Sequence, residues 1–194
     1  CDNLKKIVEP MGHTVYNYGM YTAEDETQLT YVMNGLLAAI LLNSKAADYV
    51  VTGCGTGEGA MLACNVFPGV LCGHIVDSED AYMFAQINDG NAIALPFAKG
   101  FGWGAELRLQ YIFEKLFGGE SGGGYPKERV VPEQRNKKIL DGVKEITHKD
   151  IMTILKTIDQ DFLKIAISGE KFQEYFFPNC QVPEIAEYLK SVLA

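Results

Sequence analysis

The sequence predicts an α/β protein: a Rossmann-like, doubly wound parallel sheet (an α/β/α sandwich) with a helical C-terminal extension. Three observations predict it. Short apolar, β-branched runs alternate with helical patterns through the first 117 residues, which is typical of a parallel sheet covered on both faces. A glycine-rich segment follows, and only helical patterns occur beyond it. We therefore expect a core (1–117), a glycine-rich loop (118–131) and a helical extension (132–194).

Each expected element has a local reason. Strands are apolar or β-branched runs closed by glycine or proline, helices follow polar residues, and Ser78 is the expected cap of one helix. The expected order is helix 2–9, strand 14–18, helix 28–43, strand 49–52, helix 58–66, strand 70–76, helix 78–87, strand 92–96 and helix 105–117, then tail helices at 133–147, 149–165, 171–177 and 183–193. Because right-handed crossovers bring the carboxyl ends of parallel strands to one edge, ligands are expected there.

The composition of the chain argues against some classes of binding partner. The chain has 194 residues, of which 47% are hydrophobic, and a formal net charge of -8. A nucleic-acid partner is not expected, because binding to a phosphate backbone needs clustered lysines and arginines. A membrane is not expected either, because the longest apolar run, residues 35–42, is too short to span a bilayer. A small anionic substrate remains compatible with this composition, because it needs only a few local positive groups.

The cysteines indicate a reducing compartment. Cys1, Cys54, Cys64, Cys72 and Cys180 are odd in number and form no Cys-x-x-Cys pair. Neither a disulfide framework nor a zinc site is expected, and reduced thiols fit a cytoplasmic protein. The chain opens at Cys1 inside a helical pattern and without an initiator methionine, so we also expect a preceding segment that contains a first strand.

The most informative segment is the glycine-rich turn at residues 52–60, which lies between a predicted strand and a predicted helix. Its glycines allow a tight turn and the close approach of a ligand. N–H groups at the start of a helix attract anions and stabilise a thiolate, so the pKa of Cys54 is expected to lie below that of an ordinary thiol. A thiolate beside such donors suits proton transfer next to a carbonyl, with Thr56 adding a hydroxyl hydrogen bond.

Two other interpretations of this turn stay open. One is that Cys54 is a small buried residue in an ordinary turn. The other is dinucleotide binding, because the spacing of Gly55, Gly57 and Ala60 loosely resembles that fingerprint, and the acidic residue Asp77 follows about 20 positions later. Against it, the turn does not open the first strand–helix unit, and its cysteine has no use in a pyrophosphate cradle.

Three sequence blocks carry a family resemblance: Cys54-Gly55-Thr56-Gly57-x-Gly59, Asn65-x-x-Pro68-Gly69-Val70 and Asn88-Asp89-Gly90-Asn91-Ala92. In this order and spacing, over about residues 17–117, they resemble the type B ribose-5-phosphate isomerases and the related galactose-6-phosphate isomerase subunits. The resemblance implies a homodimer or higher homo-oligomer with shared active sites and neither cofactor nor metal. It also implies aldose–ketose isomerisation of a phosphorylated pentose or hexose through an enediolate.

The resemblance also implies roles for individual residues. Cys54 is the proton-shuttling base, and Thr56 is its catalytic neighbour. Asn88 lies near the sugar, and Arg129 and Arg135 hold the phosphate, often from the partner subunit; the alternative for both arginines is a solvated start of a helix. The anion hole is lined by Gly55, Thr56, Gly57, Glu58 and Gly59.

The sequence departs from the family pattern at several positions. Ile87 stands where the family usually has a histidine, and residues 27–31 replace an expected Asp-Tyr-Pro segment. The helical tail beyond Ile146 is longer than expected. These departures favour a divergent branch with a different sugar phosphate or a rearranged acid–base set. They also motivate an alternative function, a non-catalytic sugar-phosphate or nucleotide-binding module that kept the glycine-rich cradle.

Two further features have competing interpretations. His74 lies in a predicted buried strand and is interpreted as a core histidine with its hydrogen bonds satisfied; the alternative is that its side chain reaches the site. The aromatic, glycine-rich turn at residues 99–104 either walls the sugar pocket or packs at a dimer interface, and the interface is favoured.

Overall fold

The structure is a computed structural model that describes residues 2–100 and 102–194. Cys1 and Phe101, the latter from the aromatic turn at 99–104, lie outside the described residues. The strands are β1 (Val50–Cys54), β2 (Cys72–His74) and β3 (Ala92–Pro96). The α-helices are α1 (Asp2–Val8), α2 (Tyr31–Asn43), α3 (Glu58–Asn65), α4 (Ser78–Met83), α5 (Ala105–Phe117), α6 (Val130–Thr147), α7 (Ile151–Thr157), α8 (Gln160–Ile167), α9 (Glu170–Asn179) and α10 (Pro183–Leu193). Two 3-10 turns (Glu9–Met11 and Lys127–Arg129) and a π-helical turn (Phe84–Asn88) complete the elements.

The three strands form one parallel sheet in the order β1-β3-β2. β3 lies at the centre, and every one of its residues is buried. Val50 and Cys72 both align with Ala92, and Cys54 aligns with Pro96. The carboxyl ends of the strands therefore lie at one edge of the sheet, and Cys54 ends β1 at that edge.

Helices cover both faces of this sheet. Ala92 and Ala94 of β3 belong to one hydrophobic core, and Ile93 and Leu95 belong to the other, because successive side chains of a strand point to opposite faces. The first core is completed by α2, α3 and the tail helices α7 to α10, and the second by α1, α4 and α5. The predicted Rossmann-like α/β/α fold is confirmed, and most of the helical tail packs into the core of the sheet.

Two asparagines of the family-like blocks hold strands in place. The side chain of Asn65 donates to the carbonyl of Cys72 at 2.8 Å and accepts from the N–H of the same residue at 3.0 Å. The side chain of Asn91 donates to the carbonyl of Gly69 and accepts from the N–H of Leu71, both at 2.8 Å. Both side chains fix the entry of β2 into the sheet, so their role in this chain is structural.

The expected strand at residues 14–18 is wrong. Residues 12–30 contain neither helix nor strand. The ring of Tyr16 packs against Tyr175 and that of Tyr18 against Phe172, with centroids 5.2 Å and 6.1 Å apart. The two tyrosines pack against α9 without a neighbouring strand, and Tyr16 remains 42% exposed.

The helix expected at residues 78–87 differs at both ends. Its cap is Asp77, whose carboxylate accepts from the N–H of Asp80 at 2.8 Å. Asp77 takes this role because its backbone is extended, whereas the expected cap Ser78 is already helical. Regular α-helix ends at Met83, and the π-helical turn, a wider insertion, carries the chain to Asn88.

The tail differs from the expected pattern in two places. The single helix expected at 149–165 is divided into α7 and α8, because Ile158 is extended and Asp159 caps α8 by accepting from the N–H of Phe162 at 2.8 Å. α6 begins at Val130, before the expected boundary of the extension. Pro132 is compatible with this start, since the first turn of a helix needs no partner for its backbone N–H groups. No helix among the described residues has the length and apolar character needed to cross a membrane.

A substitution where α2 and α3 cross tests the packing of this core. A Cβ atom at Gly35 would lie 2.6 Å from the backbone carbonyl of Ala63, so Gly35→Ala forces the two helices apart. We expect it to lower the free energy of unfolding by about 1–3 kcal/mol. The control is Gly142→Ala in α6, where nothing lies within 4 Å of the added methyl group. That change should raise stability by about 0.5–1 kcal/mol, because alanine favours helix. Equal effects of both substitutions in urea denaturation would contradict the close crossing.

Candidate active site

Cys54 is the last residue of β1 and lies half-buried at the carboxyl edge of the sheet. The turn of residues 55–57 follows it and leads directly into α3, whose first residue is Glu58. Gly55, Thr56 and Glu58 are exposed, and Gly57 is buried. The structure therefore has the strand–turn–helix arrangement expected around this thiol, with the sulfur at the edge where ligands of such sheets bind.

Hydrogen bonds favour the ionised form of this thiol. Burial acts to raise the pKa of Cys54, but the backbone N–H groups of Ala60, Gly57 and Thr56, together with the Thr56 hydroxyl, outweigh burial and lower the pKa below its ordinary value. The donors come from the turn and from the first turn of α3. This site can therefore hold a thiolate that serves as a base or a nucleophile.

The carbonyl groups of the turn are bound to the neighbouring strands. The two residues after β3 donate their N–H groups to the carbonyls of Cys54 and Gly55, at 2.8 Å and 2.9 Å. The next carbonyl, that of Thr56, accepts from Nε2 of His74 at 2.9 Å. These bonds fix the path of the turn across the carboxyl end of β3.

Gly57 and His74 are in direct contact. Gly57 has a φ of +81°, and a Cβ atom there would lie 2.7 Å from the His74 ring, so both the backbone and the space require glycine. The ring of His74 is half-buried, and its hydrogen bond goes to the turn. His74 is therefore both a histidine with a satisfied hydrogen bond and one whose side chain reaches the candidate site. Sequence reasoning undervalued this residue because the order of the strands, which brings β2 to the turn, is not visible in the sequence.

Tyr31 is a second residue beside the thiol that sequence reasoning did not single out for the site. A Cβ atom built at Gly59 would lie 3.4 Å from the Tyr31 ring and 3.7 Å from the sulfur of Cys54. Tyr31 is the first residue of α2, and its side chain is partly exposed. The ring therefore forms one wall of the opening above the sulfur. The sequence feature that could have identified Tyr31 as a site residue is its position, as an aromatic residue at the start of the helix before β1.

Asn88, Arg129 and Arg135 lie at the other edge of the sheet. Asn88 ends the π-helical turn before β3, so it lies at the amino edge, whereas Cys54 lies at the carboxyl edge. β3 spans about 13 Å between these edges. α6, which carries Arg135 and begins directly after Arg129, packs against the same π-helical turn. One chain therefore groups Cys54 with the glycine-rich turn but does not bring Asn88 or either arginine to the sulfur.

A large cleft of the structure is not centred on Cys54. It follows the free edge of β1, has a volume of about 1200 Å³, and is lined by residues 12–21 on one side and 50–53 on the other. Among the residues that the structure describes, no group of three or more His, Cys, Asp or Glu side chains has an arrangement that could hold a metal ion. We place the candidate site at Cys54 because the perturbed thiol and the converging donors are there.

Family models match both parts of the chain. A model described as Ribose/Galactose Isomerase matches residues 1–115, which is more than half of the chain. A second model, described as Ribose-5-phosphate isomerase, matches residues 146–192. The chain belongs to the ribose/galactose isomerase family. The tail is thus matched by an isomerase description as well as the core, which agrees with their shared hydrophobic packing.

Solved structures of the family extend this result. One, described as 4-deoxy-L-threo-5-hexosulose-uronate ketol-isomerase complexed with a tartrate, is 67% identical, covers 99% of this chain and 90% of that chain, and has a TM-score of 0.97. A ribose-5-phosphate isomerase from Vibrio parahaemolyticus is 54% identical with the same coverage and a TM-score of 0.95. A type B ribose 5-phosphate isomerase from Trypanosoma cruzi, 24% identical, covers 74% of this chain and 89% of that chain with a TM-score of 0.60, and shares the fold. The protein is an enzyme, an isomerase.

Proposed function

We propose that this enzyme interconverts an aldose and a ketose by proton transfer through an enediolate, with Cys54 as the base. The observation that carries the proposal is the half-buried thiol at the carboxyl edge, surrounded by N–H donors that lower its pKa. Membership of a family of sugar isomerases supports it, since proton transfer between neighbouring carbons needs one base beside donors for an oxygen anion.

The reaction moves negative charge over a short distance. The sulfur of Cys54 takes the proton from carbon 2 of the open-chain aldose, and the electrons of that C–H bond form the double bond between carbons 1 and 2. The carbonyl oxygen becomes negative as the sulfur becomes neutral. Return of the proton to carbon 1, with transfer of the O2 hydroxyl proton to O1, gives the ketose. The anion hole that receives the charge is formed by Gly55, Thr56, Gly57, Glu58 and Gly59.

We propose that the preferred substrate is 4-deoxy-L-threo-5-hexosulose uronate. The support is the structure of that name, which is 67% identical over nearly the whole chain. Its tartrate is a hydroxylated dicarboxylate, and a uronate likewise presents hydroxyls and a carboxylate. A phosphorylated pentose such as ribose 5-phosphate is the second candidate, supported by the 54% identical isomerase. Both are anionic sugars, so both suit a guanidinium group as partner.

The second half of the site is proposed to come from a second copy of the chain. Asn88, Arg129 and Arg135 lie at the edge of the sheet opposite Cys54, so they reach the sulfur only across an interface. In a symmetric dimer, the amino edge of one protomer can face the carboxyl edge of its partner, and each contact then occurs twice. Shared sites between two protomers follow from this arrangement.

α6 has a surface suited to such an interface. Ile139, Val143 and Ile146 lie on one face of the helix and are exposed, Ile146 at 86%. Arg135 precedes them on the same face, one turn before Ile139. Lys144, on the opposite face, donates to the backbone carbonyl at the end of α3 at 2.9 Å and attaches the helix to its own protomer. An exposed apolar stripe of this kind, next to an arginine, favours a partner that buries it.

Removal of the thiol tests the proposed base. We expect Cys54→Ala to lower kcat by about 10²–10⁴-fold, because the substitution removes the thiolate that takes the proton in the proposed mechanism. Exchange of the carbon 2 proton with D2O, followed by NMR, should disappear as well. Cys180→Ala, a half-buried cysteine in the tail, is the control and should stay near wild type. A normal rate for Cys54→Ala would refute the assignment, and a wild-type protein that binds sugar without any exchange would indicate the non-catalytic module.

A substrate panel tests the proposed sugar. We expect kcat/KM for 4-deoxy-L-threo-5-hexosulose uronate to exceed that for ribose 5-phosphate by about 100-fold or more, because the two anionic groups differ in size and charge. Tartrate should inhibit competitively and raise the melting temperature, with sulfate at equal ionic strength as the control. A higher kcat/KM for ribose 5-phosphate would reverse the order of the two candidates.

Charge placed on α6 tests the proposed dimer. Ile139→Glu should shift the mass measured by light scattering from twice 21.4 kDa towards 21.4 kDa and reduce activity with it, because a buried unpaired carboxylate opposes association. Lys138→Glu is the matched control, since its side chain points about 100° away around the same helix. A wild-type protein that is fully active as a monomer would contradict the shared site.

A further inference from the structure

His74 binds one of three consecutive carbonyls below the reactive thiol. The carbonyls of Cys54 and Gly55 accept from backbone N–H groups after β3, which any non-proline sequence supplies. The carbonyl of Thr56 accepts from a side chain instead, Nε2 of His74, at 2.9 Å. The orientation of the peptide that contains this carbonyl therefore depends on the type of residue at position 74.

That peptide also faces the sulfur. In a trans peptide the C=O and N–H groups point in opposite directions. With its C=O directed at His74, the Thr56–Gly57 peptide directs the N–H of Gly57 away from the histidine. This same N–H is one of the groups near the sulfur of Cys54 that lower its pKa. A single rigid peptide thus has the histidine on one side and the sulfur on the other.

Packing reinforces the hydrogen bond. The His74 ring occupies the space next to Gly57, since a Cβ atom there would lie 2.7 Å from both Cδ2 and Nε2 of the ring. Gly57 also holds the left-handed conformation, with a φ of +81°, that turns the chain into α3. The ring therefore fixes the position and the orientation of the peptide together.

The geometry does not suit His74 for a direct chemical role. Its Nε2 is engaged by the carbonyl of Thr56, and its ring packs beside Gly57. A histidine in this position acts on the reaction through the turn.

We infer that His74 is a positioning residue for the base: by holding the carbonyl of Thr56, it directs the N–H of Gly57 at the sulfur of Cys54. This inference rests on the proposed function of Cys54. It concerns a residue on β2 that lies outside the glycine-rich turn and outside the three family-like blocks.

The experiment compares His74→Leu, which removes the donor, with His74→Gln, whose amide nitrogen can occupy the position of Nε2. The rate of alkylation of Cys54 by iodoacetamide at pH 7 is read from its peptide by mass spectrometry, and kcat and KM are measured in parallel. For His74→Leu we expect alkylation to slow by about tenfold and kcat to fall by a similar factor, with KM changed by less than about twofold. His74→Gln should bring alkylation and kcat to within about threefold of wild type.

His148→Leu is the matched control. The His148 ring is also close to a backbone carbonyl, that of Lys144 at 3.1 Å, but at the end of α6. Circular dichroism verifies that the His74→Leu protein is folded. Alkylation of Cys54 at the wild-type rate in that folded protein would overturn the inference. If His74→Leu does not fold, His74→Asn replaces it, because the asparagine side chain is too short to reach the carbonyl of Thr56. Equal rates of Cys54 alkylation in His74→Asn and His74→Gln would then overturn the inference. Alkylation needs no substrate, so it decides this point even if Cys54→Ala remains active.

Discussion

The hydrogen bonds between the glycine-rich turn and the carboxyl ends of β3 and β2 are the constraint on which the site depends. They hold the carbonyls of residues 54–56 against β3 and β2. The N–H groups of Thr56, Gly57 and Ala60 in turn lower the pKa of Cys54. The parallel register places these strand ends together, and Asn65 and Asn91 maintain that register from the other edge. The chemistry of the thiol therefore results from the pairing of the sheet.

The chain distributes its functional groups between two edges. Cys54, the proposed base, lies where β1 ends. Asn88 lies in the π-helical turn where β3 begins, and α6, which carries Arg135, packs against that turn. In the proposed function, a monomer with this distribution has two half-sites about one strand length apart. In the proposed function, this separation makes association a condition of catalysis, and the exposed apolar face of α6 beside Arg135 is the proposed interface.

Much of the fold was predictable, because the buried strands and the helices between them have strong local patterns. β3 and α5 have the expected bounds, and the residues around Cys54 form the expected strand–turn–helix unit. Residues 14–18 show where local pattern fails, since tyrosines at alternate positions that pack on α9 resemble a strand in the sequence. Strand order and helix direction determine the positions of His74 and Tyr31 and the distance of Asn88 from the sulfur. Local sequence patterns predict neither strand order nor helix direction.

The apolar character of α2 has a consequence for the biogenesis of the protein. This helix is buried between the sheet and the tail, with contacts to α3, β1, α7 and α8. During synthesis it leaves the ribosome more than a hundred residues before α8, so its tail-facing side stays uncovered while the intervening chain is made. Exposed apolar surface of this kind recruits chaperones and promotes aggregation in partly made chains. The tail therefore covers, late in synthesis, a hydrophobic helix that is made early.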